Sequence, residues 1–125
     1  MEDNMEDNTP DDFKKLIGKK ILSIEWDENG IRFNMQGDAI YYKAHGDCCS
    51  SSYIESLDNP EIFKDAEMLS VESVDGGQKE LGEFEWHKWN FYKFKTTKGM
   101  CTLSFRNESN GYYDGWLTSN PFYLN

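Results

Sequence analysis

Alternation of apolar and polar residues predicts that the first third of the chain is mostly strand. Residues 20–26 and 31–36 each alternate with a period of two, which is typical of a half-buried strand. Asn29-Gly30 between them is a strong hairpin signal, because both residues tolerate positive φ. Gly37-Asp38 supplies a second turn before a strand at residues 39–44, so the pattern predicts a three-stranded antiparallel meander.

Three short segments have the start and stop signals of helices. Thr9-Pro10 supplies an N-cap and a first helical residue, and Gly18 supplies the stop. A serine and a glutamate at capping-box spacing predict a second helix over residues 51–57. Asn59-Pro60-Glu61 has the form of a fresh N-cap and first turn, which predicts a third helix through about Ala66.

The rest of the chain returns to strand. Residues 68–74 and 84–95 are candidate strands, residues 101–105 alternate again, residues 107–111 form a loop, and residues 112–117 form a last strand. Three aromatic residues of the second segment are expected in the core: Trp86, Trp89 and Phe91. The predicted fold class is therefore α+β, a single antiparallel sheet of about six strands with two or three short helices packed beside it.

Most of the negative charge is concentrated at the N-terminus. The 125 residues carry a net charge of −10, and residues 1–12 contain six acids and no base. Such a segment cannot bury enough apolar surface to order itself, so residues 1–8 are expected to form a disordered acidic tail. Residues 9–125 then form a single domain of ordinary size. Arg32 and Arg106 are the only arginines, and without a basic face direct nucleic-acid binding is not expected.

The cysteines and the N-terminus indicate a compartment. No apolar run approaches the ~18 residues that span a bilayer, and the acidic N-terminus lacks the basic and apolar regions of a signal peptide. Cys48, Cys49 and Cys101 are odd in number, and neighbouring cysteines have a poor geometry for bridging to each other. These features predict reduced thiols in a cytoplasmic protein that does not enter a membrane.

Two stretches stand out, residues 46–55 and residues 106–115, which contain Gly46-Asp47-Cys48-Cys49-Ser50-Ser51-Ser52 (the Cys-Cys box) and Ser109-Asn110-Gly111-Tyr112-Tyr113 (the Tyr-Tyr box). Together they resemble a family of small uncharacterised proteins, found mainly in bacteriophages and prophages, that share a Gly-Asp-Cys-Cys-Ser and a Ser-Asn-Gly-Tyr-Tyr motif. The resemblance spans residues 21–117. It implies a phage or mobile-element origin and an α+β fold, and it transfers no catalytic residues.

The Cys-Cys box is predicted to lie where a strand ends and a helix begins. Backbone N–H groups at a helix start attract anions, so a phosphate or nucleotide could dock there. Three hydroxyls would add donors, those of Ser50, Ser51 and Ser52. The Asp47 carboxylate would compete for the same donors. Alternatively, one serine only caps the helix while Cys48 and Cys49 pack inward.

A chemical role for the Cys-Cys box is a sharper alternative. A thiol near a helix start has a lowered pKa, and His45 or His87 could act as its base with Asp47 as orienter. No protease or phosphatase signature accompanies these residues. The C-x-x-C spacing of zinc sites is also missing among the residues that a metal would use, namely His45, Cys48, Cys49, Cys101 and His87. We therefore expect no catalytic residue, no metal site and no cofactor.

The Tyr-Tyr box has two interpretations. In the first, Asn110-Gly111 forms a tight turn before two tyrosines on opposite faces of a strand. In the second, Tyr112 or Tyr113 lines a pocket beside the Cys-Cys box, with Asn107 and Asn110 as hydrogen-bonding groups. Polar side chains with a stacking ring suit a nucleobase or another small polar ligand.

Three functions are compatible with these observations. The first is a non-enzymatic phage protein that antagonises a host defence or nucleic-acid-binding protein in the bacterial cytoplasm, as an anti-CRISPR inhibitor does. Acidic charge would suit a host partner with a basic surface. The second is a module that sequesters a small nucleotide or signal molecule at the Cys-Cys box, and the third is a cysteine-dependent hydrolase or transferase. We expect interaction rather than catalysis, and an exposed aromatic patch would also suit a homodimer.

Overall fold

The structure, a computed structural model, describes residues 9–46, 50–82, 85–110 and 115–119. These residues form two short 3₁₀ helices, Asp11–Leu16 and Pro60–Phe63. They also form nine strands: β1 (Lys20–Ile21), β2 (Ser23–Asp27), β3 (Gly30–Met35), β4 (Asp38–Gly46), β5 (Ser50–Leu57), β6 (Ala66–Glu80), β7 (Glu85–Thr96), β8 (Gly99–Asn110) and β9 (Gly115–Thr118). The predicted acidic tail, residues 1–8, lies outside the described residues. Within the described ranges, no helix has the length and apolar character needed to cross a bilayer.

The strands form two antiparallel sheets within the described part of the chain. One sheet has the order β1-β6-β7-β8-β5, and the other has the order β2-β3-β4-β9. The predicted fold class, α+β with one sheet of about six strands, is wrong, because the described chain is almost entirely β and its helices are single 3₁₀ segments. Segments of four to six residues are too short to form a stable α-helix without packing support.

The largest error concerns residues 51–57. These residues were predicted to form a helix, but in the structure they form most of β5. Ser52 and Glu55 do stand at capping-box spacing, but the Ser52 hydroxyl donates to the Asn107 side chain and caps no helix. The same residues also alternate, because Ile54 is buried and Glu55 is exposed. Pairing with β8 along most of the strand selects the extended conformation.

Other boundaries differ where a strand continues through a predicted turn. β8 runs to Asn110, so the predicted loop at residues 107–111 is wrong as far as the described residues reach. β6 passes through Gly76-Gly77, and the pairing register with β7 shifts there. Leu22 lies between β1 and β2, and these two strands belong to different sheets.

The predicted meander is confirmed as β2-β3-β4. The turn at Asn29-Gly30, however, forms for a different reason from the one predicted. Asp65 is the non-glycine residue with positive φ among the described residues, so Asn29 does not use that conformation. A Cβ on Gly30 would instead overlap the Tyr41 ring. Glycine is needed here because a side chain packs directly on the backbone.

An aromatic cluster joins the inner faces of the two sheets. Phe33 of β3 lies 5.5 Å from Phe94 of β7, between ring centroids. Phe13, from the first 3₁₀ helix, stacks on Tyr42 at 4.2 Å and contacts Phe94 edge-on at 5.7 Å. All four rings are fully buried. Three rings expected in the core are only half-buried, those of Trp86, Trp89 and Phe91.

Asp12 connects the first 3₁₀ helix to the end of β9. Its carboxylate accepts hydrogen bonds from the Thr118 hydroxyl at 3.1 Å, the Ser119 hydroxyl at 2.6 Å and the Ser119 backbone N–H. Lys15 Nζ lies 3.0 Å away. Burial alone would raise the pKa of Asp12, but the hydrogen bonds from Ser119 and the charge of Lys15 outweigh burial and lower the pKa.

Replacing Asp12 by alanine should lower the free energy of unfolding by about 1–3 kcal/mol, because it removes a charged acceptor of several hydrogen bonds. Equilibrium urea unfolding measures the loss. Asp11→Ala is the matched control, because the Asp11 side chain is 98% exposed and forms an i,i+3 pair with Lys14. That variant should unfold like the wild type.

The effect of Asp12→Ala should depend on pH. Because the native pKa of Asp12 is lowered, its contribution is complete above the ordinary carboxyl pKa of about 4 and is lost as the pH falls through the native value. The stability difference between wild type and Asp12→Ala should therefore shrink in acid. A difference that stays constant in acid, or an equal loss in Asp11→Ala, would contradict this role.

Candidate functional site

The Cys-Cys box and the Tyr-Tyr box meet at one end of the molecule, here called the polar end. β5 pairs with β8 in the register Ser50 with Ser109, and Ser52 with Asn107. The Ser52 hydroxyl donates a 2.6 Å hydrogen bond to Asn107 Oδ1. In the other sheet, the last residue of β4, Gly46, pairs with the first residue of β9, Gly115. Motifs more than 50 residues apart in the sequence therefore form one region.

Glycine and serine let the two sheets approach closely at the polar end. A Cβ on Gly46 would lie 2.6 Å from Ser50 Oγ and 2.7 Å from Ser52 Oγ. A Cβ on Gly115 would overlap Ser52 Oγ. The small residues at these positions are thus explained by contact between β5 and the β4–β9 pair.

Polar residues interrupt the apolar inner face of the five-stranded sheet towards this end. Along β7, the inward positions after the buried Phe94 and Tyr92 are Asn90 and Lys88. Lys88 pairs with Asn107, and Asn90 exchanges hydrogen bonds of 3.0 and 3.2 Å with Ser73 of β6. Asn107 is 4% exposed, so these polar groups extend into the interior.

A cavity of about 190 Å³ lies between the sheets at the polar end, here called the inter-sheet cavity. Phe105, which is 1% exposed, contributes apolar surface, and Asn107 lies beside it. Gly115 contributes from the opposite sheet. The lining residues are Asp75, Lys88, Trp89, Asn90, Phe105, Asn107 and Gly115. The described lining thus combines one cation, one carboxylate and two amides with the Phe105 ring and with Trp89, which also belongs to the outer face of the sheet.

The structure brings together part of the predicted site. Ser50, Ser52 and Asn107 lie together at the polar end, whereas Ser51 pairs with Glu108 on the opposite face of β5. Asn110 is the last residue of β8. Five predicted residues lie outside the described residues: Asp47, Cys48, Cys49, Tyr112 and Tyr113.

Sequence reasoning missed most of the cavity lining. Asp75 comes from β6, Lys88 and Asn90 come from β7, and Phe105 lies in β8 outside the Tyr-Tyr box. One available signal was the pair of polar residues at positions 88 and 90, which interrupt an aromatic strand with a spacing of two.

The outer face of the five-stranded sheet carries a second group of side chains, here called the Arg106 cluster: Tyr53, Glu55, His87, Trp89, Arg106 and Glu108. Tyr53, Arg106 and Trp89 are in register across β5, β8 and β7. The Arg106 guanidinium lies 3.1 Å from the carboxylate of Glu55 and 3.1 Å from that of Glu108. It also lies 5.1 Å from the centre of the Trp89 ring.

Hydrogen bonds among its other members fix the Arg106 cluster. The Tyr53 hydroxyl donates to Glu108 at 2.6 Å, and burial together with this bond raises the pKa of Tyr53 to about 12. Trp89 Nε1 donates to Glu55 at 3.3 Å. Arg106 also donates to His87 Nδ1, in the tautomer that leaves that nitrogen unprotonated. These mutual contacts hold the side chains in a defined arrangement across three strands.

The candidate chemical groups are dispersed in the described structure. Cys101 lies eight residues along β8 from Ser109, about 26 Å at ~3.3 Å per residue, and burial raises the pKa of its thiol to about 11. His45 stacks on Trp116 at 6.3 Å in the four-stranded sheet, whereas His87 belongs to the Arg106 cluster. Among the described residues, no group of three or more histidine, cysteine, aspartate or glutamate side chains could hold a metal ion.

Comparison with known families gives one match. Residues 14–116, which include both boxes, match the family described as Domain of unknown function (DUF7448). The chain belongs to this family. No curated protein and no solved structure matches this chain. The DUF7448 description assigns no activity.

Arg106→Lys should lower the free energy of unfolding by about 1 kcal/mol, because a lysine cannot contact Glu55, Glu108 and the Trp89 face together. Arg32→Lys is the control, since Arg32 is exposed and lies 6.0 Å over a single ring, Tyr41. Urea unfolding followed by tryptophan fluorescence compares the two variants. Equal stability losses would show that the Arg106 cluster adds nothing to the sheet.

Proposed function

We propose that the protein is a non-enzymatic binding protein that sequesters a small polar molecule in the inter-sheet cavity. The observation that carries the proposal is the set of polar side chains facing inward at one end of an otherwise apolar core. Hydrogen bonds between Ser52 and Asn107 and between Asn90 and Ser73 hold the two amides in a defined orientation. A concave site with a few converging polar groups is the usual form of a small-molecule site.

This function corresponds to the second of the three predicted from the sequence, but it rests on different residues. The sequence predicted an anion site at a helix start in the Cys-Cys box. Residues 50–57 form a strand, so no helix starts there. Asn107 carries over from the predicted site, and Asp75, Lys88, Asn90 and Phe105 replace the remainder.

Binding accounts for the described groups better than catalysis does. The Cys101 thiol, with a pKa raised to about 11, is almost entirely protonated at neutral pH and is a poor nucleophile. Glu55 and Glu108 are engaged by Arg106 and by hydrogen bonds, as structural carboxylates are. Each of these groups therefore has a structural role.

A second candidate function is the phage antagonist of a host defence or nucleic-acid-binding protein in the bacterial cytoplasm. The Arg106 cluster favours it, because arginine, tryptophan and tyrosine dominate the energetics of protein interfaces and a prearranged group loses little entropy on binding. The Glu55 and Glu108 side chains are 35% and 34% exposed, which would suit basic side chains of the partner.

The ligand-binding proposal predicts a thermal shift. We expect at least one member of a panel of nucleosides, nucleoside monophosphates and free amino acids, each at millimolar concentration, to raise the melting temperature. Ligand at 100 times its dissociation constant stabilises by about 2.7 kcal/mol. Lys88→Met should reduce the shift, because Lys88 lines the cavity. The control Lys93→Met changes the same strand on its outer face and should leave the shift unchanged.

Two results would count against the proposal. No shift with any member of the panel would exclude a site for these ligand classes. An equal reduction in Lys88→Met and Lys93→Met would place binding elsewhere on the protein.

The antagonist function has its own test. A host protein captured by the wild type should be lost with Trp89→Leu, which removes the ring that stacks on Arg106. It should be retained with Tyr41→Phe, a change on the other sheet. Capture that is insensitive to Trp89→Leu would exclude the Arg106 cluster as the interface.

A further inference from the structure

We propose that the open edge of β2 binds an extended segment of a partner protein in which apolar and basic residues alternate. The segment adds a strand to the four-stranded sheet beside Ile24 and Trp26. The hollows that flank this edge share no described lining residue with the inter-sheet cavity. This surface is therefore separate from the site of the proposed function and does not depend on it.

The backbone of β2 points alternate residues away from its sheet. In the order β2-β3-β4-β9, β2 pairs on one side with β3. A two-residue turn joins β2 to β3, with Asp27 opposite Gly30. The closing pair of such a hairpin is hydrogen-bonded, and the residues between hydrogen-bonded pairs direct their backbone groups to the other side. The N–H and C=O groups of Ile24 and Trp26 therefore point towards the open edge.

Hydrogen bonds mark the two ends of this open edge. The Leu22 carbonyl accepts the Asp65 N–H at 3.3 Å, and the Glu28 carbonyl accepts the Ile54 N–H at 2.9 Å. Between them, no described residue outside β3 pairs with the backbone of Ile24 or Trp26. Unpaired backbone groups at a sheet edge are a template for another strand, and these two residues offer two donors and two acceptors.

Hollows lie on both sides of the open edge and meet at Trp26. A cleft of about 410 Å³ between β2 and the second 3₁₀ helix is lined by Ser23, Ile24, Trp26, Pro60, Glu61 and Lys64. A hollow of about 270 Å³ on the outer face of the sheet is lined by Glu25, Trp26, Asp27, Gly30, Arg32 and Tyr41. Successive side chains of a strand point to opposite faces, so an added strand directs alternate side chains into the two hollows.

The cleft favours apolar side chains. Trp26 is 40% exposed there, and Ile24 and Pro60 beside it are half-buried. Glu61 and Lys64, which also line the cleft, carry opposite charges, so the cleft has no net charge. A partly exposed tryptophan is a typical anchor of a protein interface, because covering its ring buries a large apolar area.

The outer hollow favours basic side chains. Glu25 and Asp27 are exposed on this face, and Arg32 is the cation of the described lining. The two carboxylates accept hydrogen bonds from neutral groups, the Asn34 side chain at 3.0 Å and the Asn29 N–H at 2.8 Å, so both keep their charge. Lysine or arginine at the outward positions of an added strand complements these charges, whereas an acid there is repelled.

Charge also argues against a second copy of this chain as the added strand. Antiparallel pairing that uses both Ile24 and Trp26 of each copy places Glu25 of one copy opposite Glu25 of the other. Like charges directly opposite each other destabilise a strand pair. A segment with basic residues at these positions replaces the repulsion by attraction.

The test is amide hydrogen exchange of the ¹⁵N-labelled full chain with three capped hexapeptides. The first alternates lysine and valine, the second alternates glutamate and valine, and the third has three lysines followed by three valines. The first peptide at saturation should slow exchange of the Ile24 and Trp26 amides on the order of tenfold, because it supplies their hydrogen-bond partners. The amide of Gly37, in the turn at the other end of β3, should not change. The other two peptides should bind more weakly.

Methylated peptides test whether binding uses the peptide backbone. In a strand, alternate N–H groups point to the same side, so only the lysines or only the valines can donate to β2. N-methylation of the donating set should weaken the alternating peptide on the order of tenfold. N-methylation of the other set is the matched control and should have little effect.

A charge variant tests the outer hollow. Glu25→Gln keeps an oxygen that can accept from Asn34, and it should weaken the lysine–valine peptide about two- to fivefold at low salt. Asp38→Asn is the control, because Asp38 is an exposed acid at the far end of the same sheet. That variant should bind like the wild type.

Four results would overturn the proposal. The first is no binding of the lysine–valine peptide at millimolar concentration, and the second is binding that leaves exchange at Ile24 and Trp26 unchanged. The third is equal affinity for the lysine–valine and glutamate–valine peptides. The fourth is protection of both amides without peptide at protein concentrations where sedimentation shows a dimer, which would assign the edge to a second copy.

Discussion

The hydrogen bond from the Ser52 hydroxyl to Asn107 Oδ1 is the contact on which the polar end depends. It joins β5 to β8 on the inner face, and the Ser52 side chain lies against Gly46 and Gly115 of the other sheet. A larger residue at either glycine would force the sheets apart and break the contact. The aromatic cluster around Phe94 joins the sheets elsewhere, and at the polar end the Ser52 side chain that this bond orients packs against the glycines of the other sheet.

Local patterns predicted the elements whose partners are close in the sequence. The β2-β3-β4 meander follows from alternation over residues 20–44 and from its turns. The helix prediction for residues 51–57 was wrong because a capping box is a four-residue pattern, whereas the strand partner of these residues lies in β8, about 50 residues away. A local signal cannot represent that pairing, and tertiary contacts override weak local propensities.

The site was less predictable than the fold, because it depends on which face of each strand is buried. β7 has aromatic residues on both faces, with Trp89 and Phe91 outward and Tyr92 and Phe94 inward. The alternation therefore does not reveal that Lys88 and Asn90 face the interior. The face on which Asp75 lies is harder still to predict, because the register of β6 shifts beyond this residue. The boxes lie at the end of the molecule that contains the cavity, but they do not include most of the residues that line it.

The central claim, that polar side chains between the sheets form a ligand site, is tested most directly by NMR. The side-chain amide signals of Asn90 and Asn107 are followed while free amino acids and nucleosides are titrated into ¹⁵N-labelled protein. The account predicts that both amides shift with one common dissociation constant. The amide of Asn34, which bonds Ser23 and Glu25 on the other sheet, should stay fixed. Unchanged Asn90 and Asn107 signals at saturating ligand, or equal shifts at Asn34, would contradict it.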